Sequence, residues 1–201
     1  MAHTFTFAGE NVGLVVRKKT SHKDRPSVFQ QHADCILSNG APVGFFGEGV
    51  GDNSSNALGI RMSGDVYGYG DMQKKRPFYI DQGRAKTMKM VSTVLILNVS
   101  RATAIQFDSF WKGLNRARVE FNFVGGNCST HASEAFFQAG ILAGGIRGLD
   151  TPNRLYHQLY RQYEGRCKSM SGFVGFSPSD SGYLVLVDGA IADAVEGTEG
   201  D

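Results

Sequence analysis

The sequence contains few cysteines, few charged residues and no long apolar run. Its three cysteines are widely spaced, at Cys35, Cys128 and Cys167. This odd number excludes a disulfide framework, and no CxxC pair or Cys/His cluster has the spacing of a zinc site. We therefore expect no metal and no cofactor. Because no apolar stretch approaches the length of a bilayer-spanning helix, we also expect no membrane span.

The charge of the chain is low and balanced. Charged residues make up 20% of the sequence, and the formal net charge is +2. No stripe of Lys and Arg alternates with aromatic residues, so nucleic acid is not an expected partner. The first residues lack the charged and apolar segments of a secretory signal. We expect synthesis in the cytoplasm, and export by a route that needs no cleaved signal stays open.

Composition and patterning indicate one domain. The 26 glycines and 14 phenylalanines in 201 residues are typical of many turns and short strands. Neither an internal repeat nor a linker divides the chain. We predict a single α+β domain over residues 1–188, followed by an acidic, disordered tail over residues 189–201.

Four stretches carry further structural predictions. Residues 4–8 and 12–17 are short β-type runs, which predict a first hairpin. The polar segment KKTSHKDRPS at 18–27 predicts a solvated loop, and residues 77–81 predict a further strand. The apolar, β-branched run at 88–99 predicts a central strand.

A cysteine stands at the predicted start of a helix. After a turn signal ending at Asn127, apolar residues recur with helical spacing from Cys128 onward, and Gly140 is placed to end the helix in a left-handed cap. Backbone N–H groups and the helix dipole at this end favour a thiolate, which is the nucleophilic form. The same N–H groups could hold an oxyanion. The alternative is a small cysteine buried on the core face of the helix.

A histidine stands at the predicted start of a strand. Two apolar runs flank Asn39 and Gly40, the strongest local signal for a hairpin. A three-residue loop would place His32 opposite Glu48, and a two-residue loop would move the register by one residue. Asp34 shares a strand face with His32 and is the second carboxylate that could orient the imidazole. The alternative is a strand-end histidine hydrogen-bonded to backbone.

The thiol and the imidazole together suggest covalent catalysis. A cysteine hydrolase needs an imidazole to take the proton of Cys128 and a third polar group to orient that imidazole. His32 precedes the cysteine in the chain, the reverse of the order in most papain-like enzymes. His131 lies one helical turn after Cys128 and could approach the thiol from the same side. A packing role is the other interpretation of His131.

Four segments between residues 94 and 159 carry a family resemblance: LILNVS, FDSFWKGL, FNFVGGNCSTHASEAFFQAGI and TPNRLYHQL. Together they resemble the circularly permuted NlpC-type papain-like proteins, a group that includes relatives of lecithin retinol acyltransferase and bacterial hydrolases. The resemblance implies an antiparallel sheet packed against the helix that bears the nucleophile. It implies Cys128 as nucleophile, His32 as base and Asn127 in an oxyanion or positioning role. Glu48 is the first choice for the third residue, with Asp34 and His131 as alternates.

The resemblance also implies a function. We expect a cysteine hydrolase that cleaves an amide or peptide bond through a thioester, with peptidoglycan stem peptides as the leading substrate. An antibacterial effector of this type would have a delivery or inhibitor protein as partner. One alternative is an acyltransferase or thioesterase acting on lipid or protein. Another is a non-catalytic binding domain, in which Cys128 and His32 are core residues.

Overall fold

A computed structural model describes residues 2–25, 31–48, 62–116, 119–121, 127–143 and 151–189. The predicted acidic tail, apart from its first residue, and the glycine turn before Asn127 lie outside the described residues, as do residues 49–61.

The described residues form one antiparallel sheet of nine strands. Its strand order is β1-β9-β8-β6-β2-β3-β4-β5-β7, and every neighbouring pair is antiparallel. The α+β class with an antiparallel sheet is therefore confirmed. The strands are β1 (Ala2–Phe5), β2 (Asn11–Arg17), β3 (His32–Ile36), β4 (Pro42–Glu48), β5 (Met62–Tyr67), β6 (Ser92–Asn98), β7 (Val119–Phe121), β8 (Cys167–Ser179) and β9 (Gly182–Asp188).

Helices cover both faces of this sheet. The longer three pack on one face and share a core with β2, β3, β4 and β6. The other face carries a second core, to which the shorter elements contribute. In the described part of the chain, no helix is long and apolar enough to cross a membrane. The helices are α1 (Tyr69–Lys75), α2 (Gln82–Thr87), α3 (Arg101–Leu114), α4 (Cys128–Gln138) and α5 (Pro152–Gln162), with a 3-10 turn at Pro77–Tyr79.

Strand β6 confirms the predicted central strand. It lies between β2 and β8, and its side chains alternate between the two cores. Leu95 and Leu97 join the core under the longer helices, whereas Val94 and Ile96 join the core on the other face. A strand covered on both faces carries apolar residues at consecutive positions, which explains the run from Val94 to Leu97.

The predicted first hairpin and the predicted strand at 77–81 are wrong. Residues 4–8 and 12–17 do not form a hairpin, because β1 pairs with β9 at the far end of the chain, while β2 pairs with β3 and β6. A β-type run specifies a strand but not its partner. The predicted strand at 77–81 is instead the 3-10 turn, because Pro77 has no N–H for a strand ladder and its fixed φ suits a helical start.

The hairpin at Asn39 and Gly40 is confirmed, but its predicted register is wrong. The last pair of the ladder is Ile36 with Pro42, so the loop holds five residues rather than two or three. Within that loop the Leu37 N–H donates to the Ala41 carbonyl at 2.9 Å. Gly40 has a φ of +83°, a conformation that glycine adopts without strain.

The segment at 18–27 is not solvated throughout. Lys19 is fully buried at 0% exposure. Its Nζ donates to the carbonyls of His22 and Asp24 and, at 2.9 Å, to Oδ1 of Asn153 in α5. A charged residue in a polar stretch can thus lie inside the molecule when backbone oxygens surround its ammonium group.

Candidate active site

Helix α4 begins at Cys128, as the sequence predicts. Asn127 is the N-cap residue, and its Oδ1 accepts a hydrogen bond from the Thr130 N–H at 3.0 Å. After Ala139, Gly140 has the left-handed φ of +69° expected at the end of the helix. Because the Asn127 side chain caps the helix, it fixes the direction of the first turn and so positions the Cys128 side chain.

The Cys128 thiol meets the His32 imidazole at the start of β3. Helix α4 packs directly against this strand, and Cys128 is 9% exposed. Burial alone would raise the pKa of the thiol. The charge of His32, a hydrogen bond with its ring and the backbone N–H of Ala33 outweigh burial and the charge of Asp34, so the pKa of Cys128 falls below its ordinary value. The site therefore favours a thiolate.

The imidazole is oriented by a carboxylate on its own strand. His32 Nε2 lies 2.8 Å from Asp34 Oδ1, which leaves Nδ1 as the nitrogen available to the thiol. Burial disfavours the protonated ring, but the negative charges of Cys128 and Asp34 raise the pKa of His32 well above its ordinary value. Both shifts therefore act in the direction of a thiolate–imidazolium pair.

A buried arginine holds the carboxylate in turn. Arg17 and Asp34 are 1% and 0% exposed, and Arg17 Nε donates to Asp34 Oδ2 at 2.6 Å. Arg17 Nη2 also donates to the Tyr79 carbonyl at 3.0 Å. Despite burial, Arg17 and His32 keep the pKa of Asp34 below its ordinary value. Arg17 therefore keeps Asp34 ionised and turns its second oxygen toward the imidazole.

Aromatic rings form the surroundings of the imidazole. The His32 ring stacks on Phe46, with 4.3 Å between centroids and 26° between planes. Tyr79 stacks at a centroid distance of 5.6 Å, and its ring also lies 4.5 Å from Arg17 Cζ. These contacts restrict rotation of the imidazole while its side chain keeps 16% exposure.

The structure corrects the register that favoured Glu48 as third residue. The pairing of Asp34 with Gly44 places His32 level with Phe46 when the register is extended by two residues. The backbone of Glu48 pairs instead with Ser63 in β5, and the side chain of Glu48 lies outside the described part. The carboxylate brought to the imidazole is that of Asp34, the alternate choice.

His131 occupies a different environment from His32. Its ring packs edge-on against Phe45, with 4.1 Å between centroids. Burial lowers the pKa of His131, opposed by Glu134. The groups that set the pKa of Cys128 are His32, Ala33 and Asp34. The geometry therefore favours the packing interpretation of His131 over its role as the catalytic imidazole.

The other two cysteines lack such activation. Burial raises the pKa of Cys35 well above its ordinary value, and burial also raises the pKa of Cys167. Among the described residues, no group of three or more His, Cys, Asp or Glu side chains is arranged to hold a metal ion. Of the three cysteines, Cys128 is the one whose surroundings lower its pKa.

Sequence reasoning missed Arg17, Phe46 and Tyr79. Arg17 ends the apolar run of β2, where a charged residue is usually taken to mark the return to solvent. No local signal indicated that Arg17 is buried, because its position beside Asp34 follows from the pairing of β2 with β3. Nothing local indicated Tyr79, which arrives from the turn after α1.

Comparison with protein-family models, with curated proteins and with solved structures found no match.

Proposed function

We propose that the protein is a cysteine hydrolase that cleaves an amide or peptide bond through a thioester on Cys128. The observation that carries the proposal is the chain of contacts from Arg17 through Asp34 and His32 to the thiol. Each member adjusts the next: Arg17 keeps Asp34 ionised, Asp34 raises the pKa of His32, and His32 lowers the pKa of Cys128.

In the first step, the Cys128 thiolate attacks the carbonyl carbon of the substrate. The C–O π electrons move to the oxygen, which the Cys128 N–H at the start of α4 would stabilise. Collapse of this intermediate breaks the C–N bond, and the imidazolium of His32 gives its proton to the leaving amine. The products are a thioester on the enzyme and a free amine.

In the second step, His32 is neutral and acts as the base. It takes a proton from water, which attacks the thioester carbonyl and releases a carboxylic acid. The thiolate leaves, and the imidazole keeps the proton, so the ion pair is restored. Asp34 keeps its charge throughout. It stabilises the imidazolium in the free enzyme and in the tetrahedral intermediate of each step.

The substrate class follows from the resemblance rather than from the described residues. Peptidoglycan stem peptides are the first substrate to test, and delivery to a rival cell by a partner protein is the corresponding biological role. An acyltransferase would form the same thioester and pass the acyl group to an acceptor other than water. The two activities therefore differ only in the second step.

Acyl-enzyme formation is the direct test. The wild type would be mixed with activated esters and peptide anilides, quenched in acid at short times and examined by mass spectrometry. We expect a transient acyl adduct on Cys128, absent in Cys128→Ala and greatly slowed in His32→Ala. Soluble peptidoglycan fragments and added amine acceptors would then distinguish hydrolysis from transfer. If no adduct forms on Cys128, or if Cys167 is acylated as fast, the binding-domain interpretation takes its place.

A further inference from the structure

A groove with a basic lining lies between the segment after β2 and helix α5. It has a volume of about 710 Å³. Among the described residues, Glu164 is the one carboxylate that lines it. The lining also includes four cationic side chains and three rings: Lys23, Arg25, Arg154, Arg161, His22, His157 and Tyr160.

The positive charge of this groove is not neutralised by its neighbours. In the described parts of the chain, none of the four cationic side chains forms an ion pair with a carboxylate. The nearby Asp24 carboxylate is engaged by the N–H and hydroxyl of Thr20, at 2.9 and 2.8 Å. With four cationic side chains against Glu164, the described lining concentrates positive charge locally. Such concentration attracts anions.

The groove is also built rigidly. Buried Lys19 lies beneath it and ties the loop to α5 through the His22 carbonyl and Asn153 Oδ1, at 3.2 and 2.9 Å. His22 Nδ1 lies 2.9 Å from the Tyr156 hydroxyl, which lies 2.6 Å from Ser169 Oγ in β8. These contacts hold the two walls together, so a ligand would meet preorganised groups.

Polar atoms in the groove lack partners. Among the described residues, His157 Nε2 and Gln158 Oε1 are buried without a hydrogen bond, and both residues line the groove. His22 and His157 lie close together, with 5.4 Å between ring centroids. Burial and the charge of Lys19 lower the pKa of both imidazoles. A ligand with several acceptor oxygens would accept from His157 Nε2 in its N–H tautomer and offset the crowding of positive charge, whereas Gln158 Oε1 is itself an acceptor and needs a donor.

We propose that this groove binds a small ligand carrying an oligophosphate group. Phosphate oxygens match the forked donors of Arg154 and Arg161, which lie two turns apart on α5. In the first turn of the same helix, Thr151 caps the Arg154 N–H and Pro152 has none, so the Asn153 N–H is the backbone donor that remains for an anion. The volume is that of a small-molecule pocket. This proposal does not depend on the chemistry of Cys128.

The test is calorimetric titration with inorganic tripolyphosphate and with ATP at 0.15 M salt. The double variant Arg154→Gln/Arg161→Gln removes two groove charges, and Arg101→Gln/Lys112→Gln removes two exposed charges from α3 as a matched control. We expect both probes to bind the wild type and the control alike. The groove variant should weaken binding about tenfold or more.

Three results would overturn the proposal. The first is that neither tripolyphosphate nor ATP shows saturable binding. A second is equal weakening by the two double variants, which would indicate a diffuse charge effect. The third is a single-stranded oligonucleotide that binds more than about tenfold tighter than tripolyphosphate, which would assign the groove to nucleic acid. All four substituted side chains are exposed on helices. Melting curves would verify that both double variants fold.

Discussion

Replacing His32 by alanine should slow alkylation of Cys128 sharply at acidic pH. The change removes the charge and the ring hydrogen bond that lower the pKa of the thiol, and it leaves burial and the charge of Asp34, which raise it. The variant thiol should therefore titrate at or above the value of about 8.5 for a free cysteine. At pH 6 only about 0.3% of such a thiol is ionised, a factor of about 300 below a fully ionised one. The alkylation rate at pH 6 should therefore fall, by at most about 300-fold, and by less to the extent that a low-pKa thiolate is intrinsically less reactive.

The assay is iodoacetamide labelling between pH 5 and 9, with the rate at each cysteine read by mass spectrometry. Cys167 serves as the internal reference, because neither its pKa nor its rate depends on His32. His131→Ala is the matched control and should leave the rate at Cys128 within about twofold. Equal pH profiles for the wild type and His32→Ala, both with midpoints above 8, would refute the ion pair.

Three further predictions follow from the neighbours of His32. Asp34→Asn removes the carboxylate that raises the pKa of His32, so NMR titration should show that pKa lowered; an unchanged value would contradict the role of Asp34. Arg17→Met leaves a buried carboxylate without its cation, and urea unfolding should show a loss of about 3–5 kcal/mol, whereas a loss below about 1 kcal/mol would exclude that role. Gly44→Ala would place a methyl group against Asp34 Oδ1, so alkylation of Cys128 at pH 6 should slow several-fold with the far-ultraviolet circular dichroism retained. An unaffected rate would mean that the carboxylate can move without cost.

The parts of the site that sequence predicted are those set by local signals. Asn127 caps α4, Cys128 begins it and Gly140 ends it within a short contiguous stretch. A capping side chain and a left-handed glycine act on residues three or four positions away, so their effects can be inferred without knowledge of the fold. The start of β3 at His32 was predictable for the same reason.

Glu48 was wrongly predicted to orient His32, because the register of β3 against β4 depends on the length of the loop between them. Asn39 and Gly40 predicted a loop of two or three residues, but the loop spans five. Within it only Gly40 has a positive φ, and the Leu37 N–H donates to the Ala41 carbonyl. Relative to the register of a three-residue loop, β4 is shifted by two residues, so Phe46 rather than Glu48 lies opposite His32. Strand alternation, which does not depend on loop length, had placed Asp34 on the face of His32.

Arg17 and the basic groove beside α5 could not be predicted from local sequence, for a different reason. The side chains of the groove come from residues 22–25 and 153–164, which are far apart in sequence and contain no continuous basic stripe. Likewise, Arg17 is identified as buried only when β2 is known to lie beside β3. Pairings between distant segments are determined by packing of the whole chain, as the partnership of β1 with β9 also illustrates.

The contact of α4 with β3 has a consequence for the unfolded chain. The groups that lower the pKa of Cys128 belong to His32 and Ala33, which are remote in sequence and reach the thiol only through tertiary structure. A denatured chain would carry three ordinary thiols of similar reactivity, and folding would single out one of them. Oxidants and electrophiles that prefer thiolates would therefore attack the mature protein at a defined atom and leave the nascent polypeptide largely unmodified.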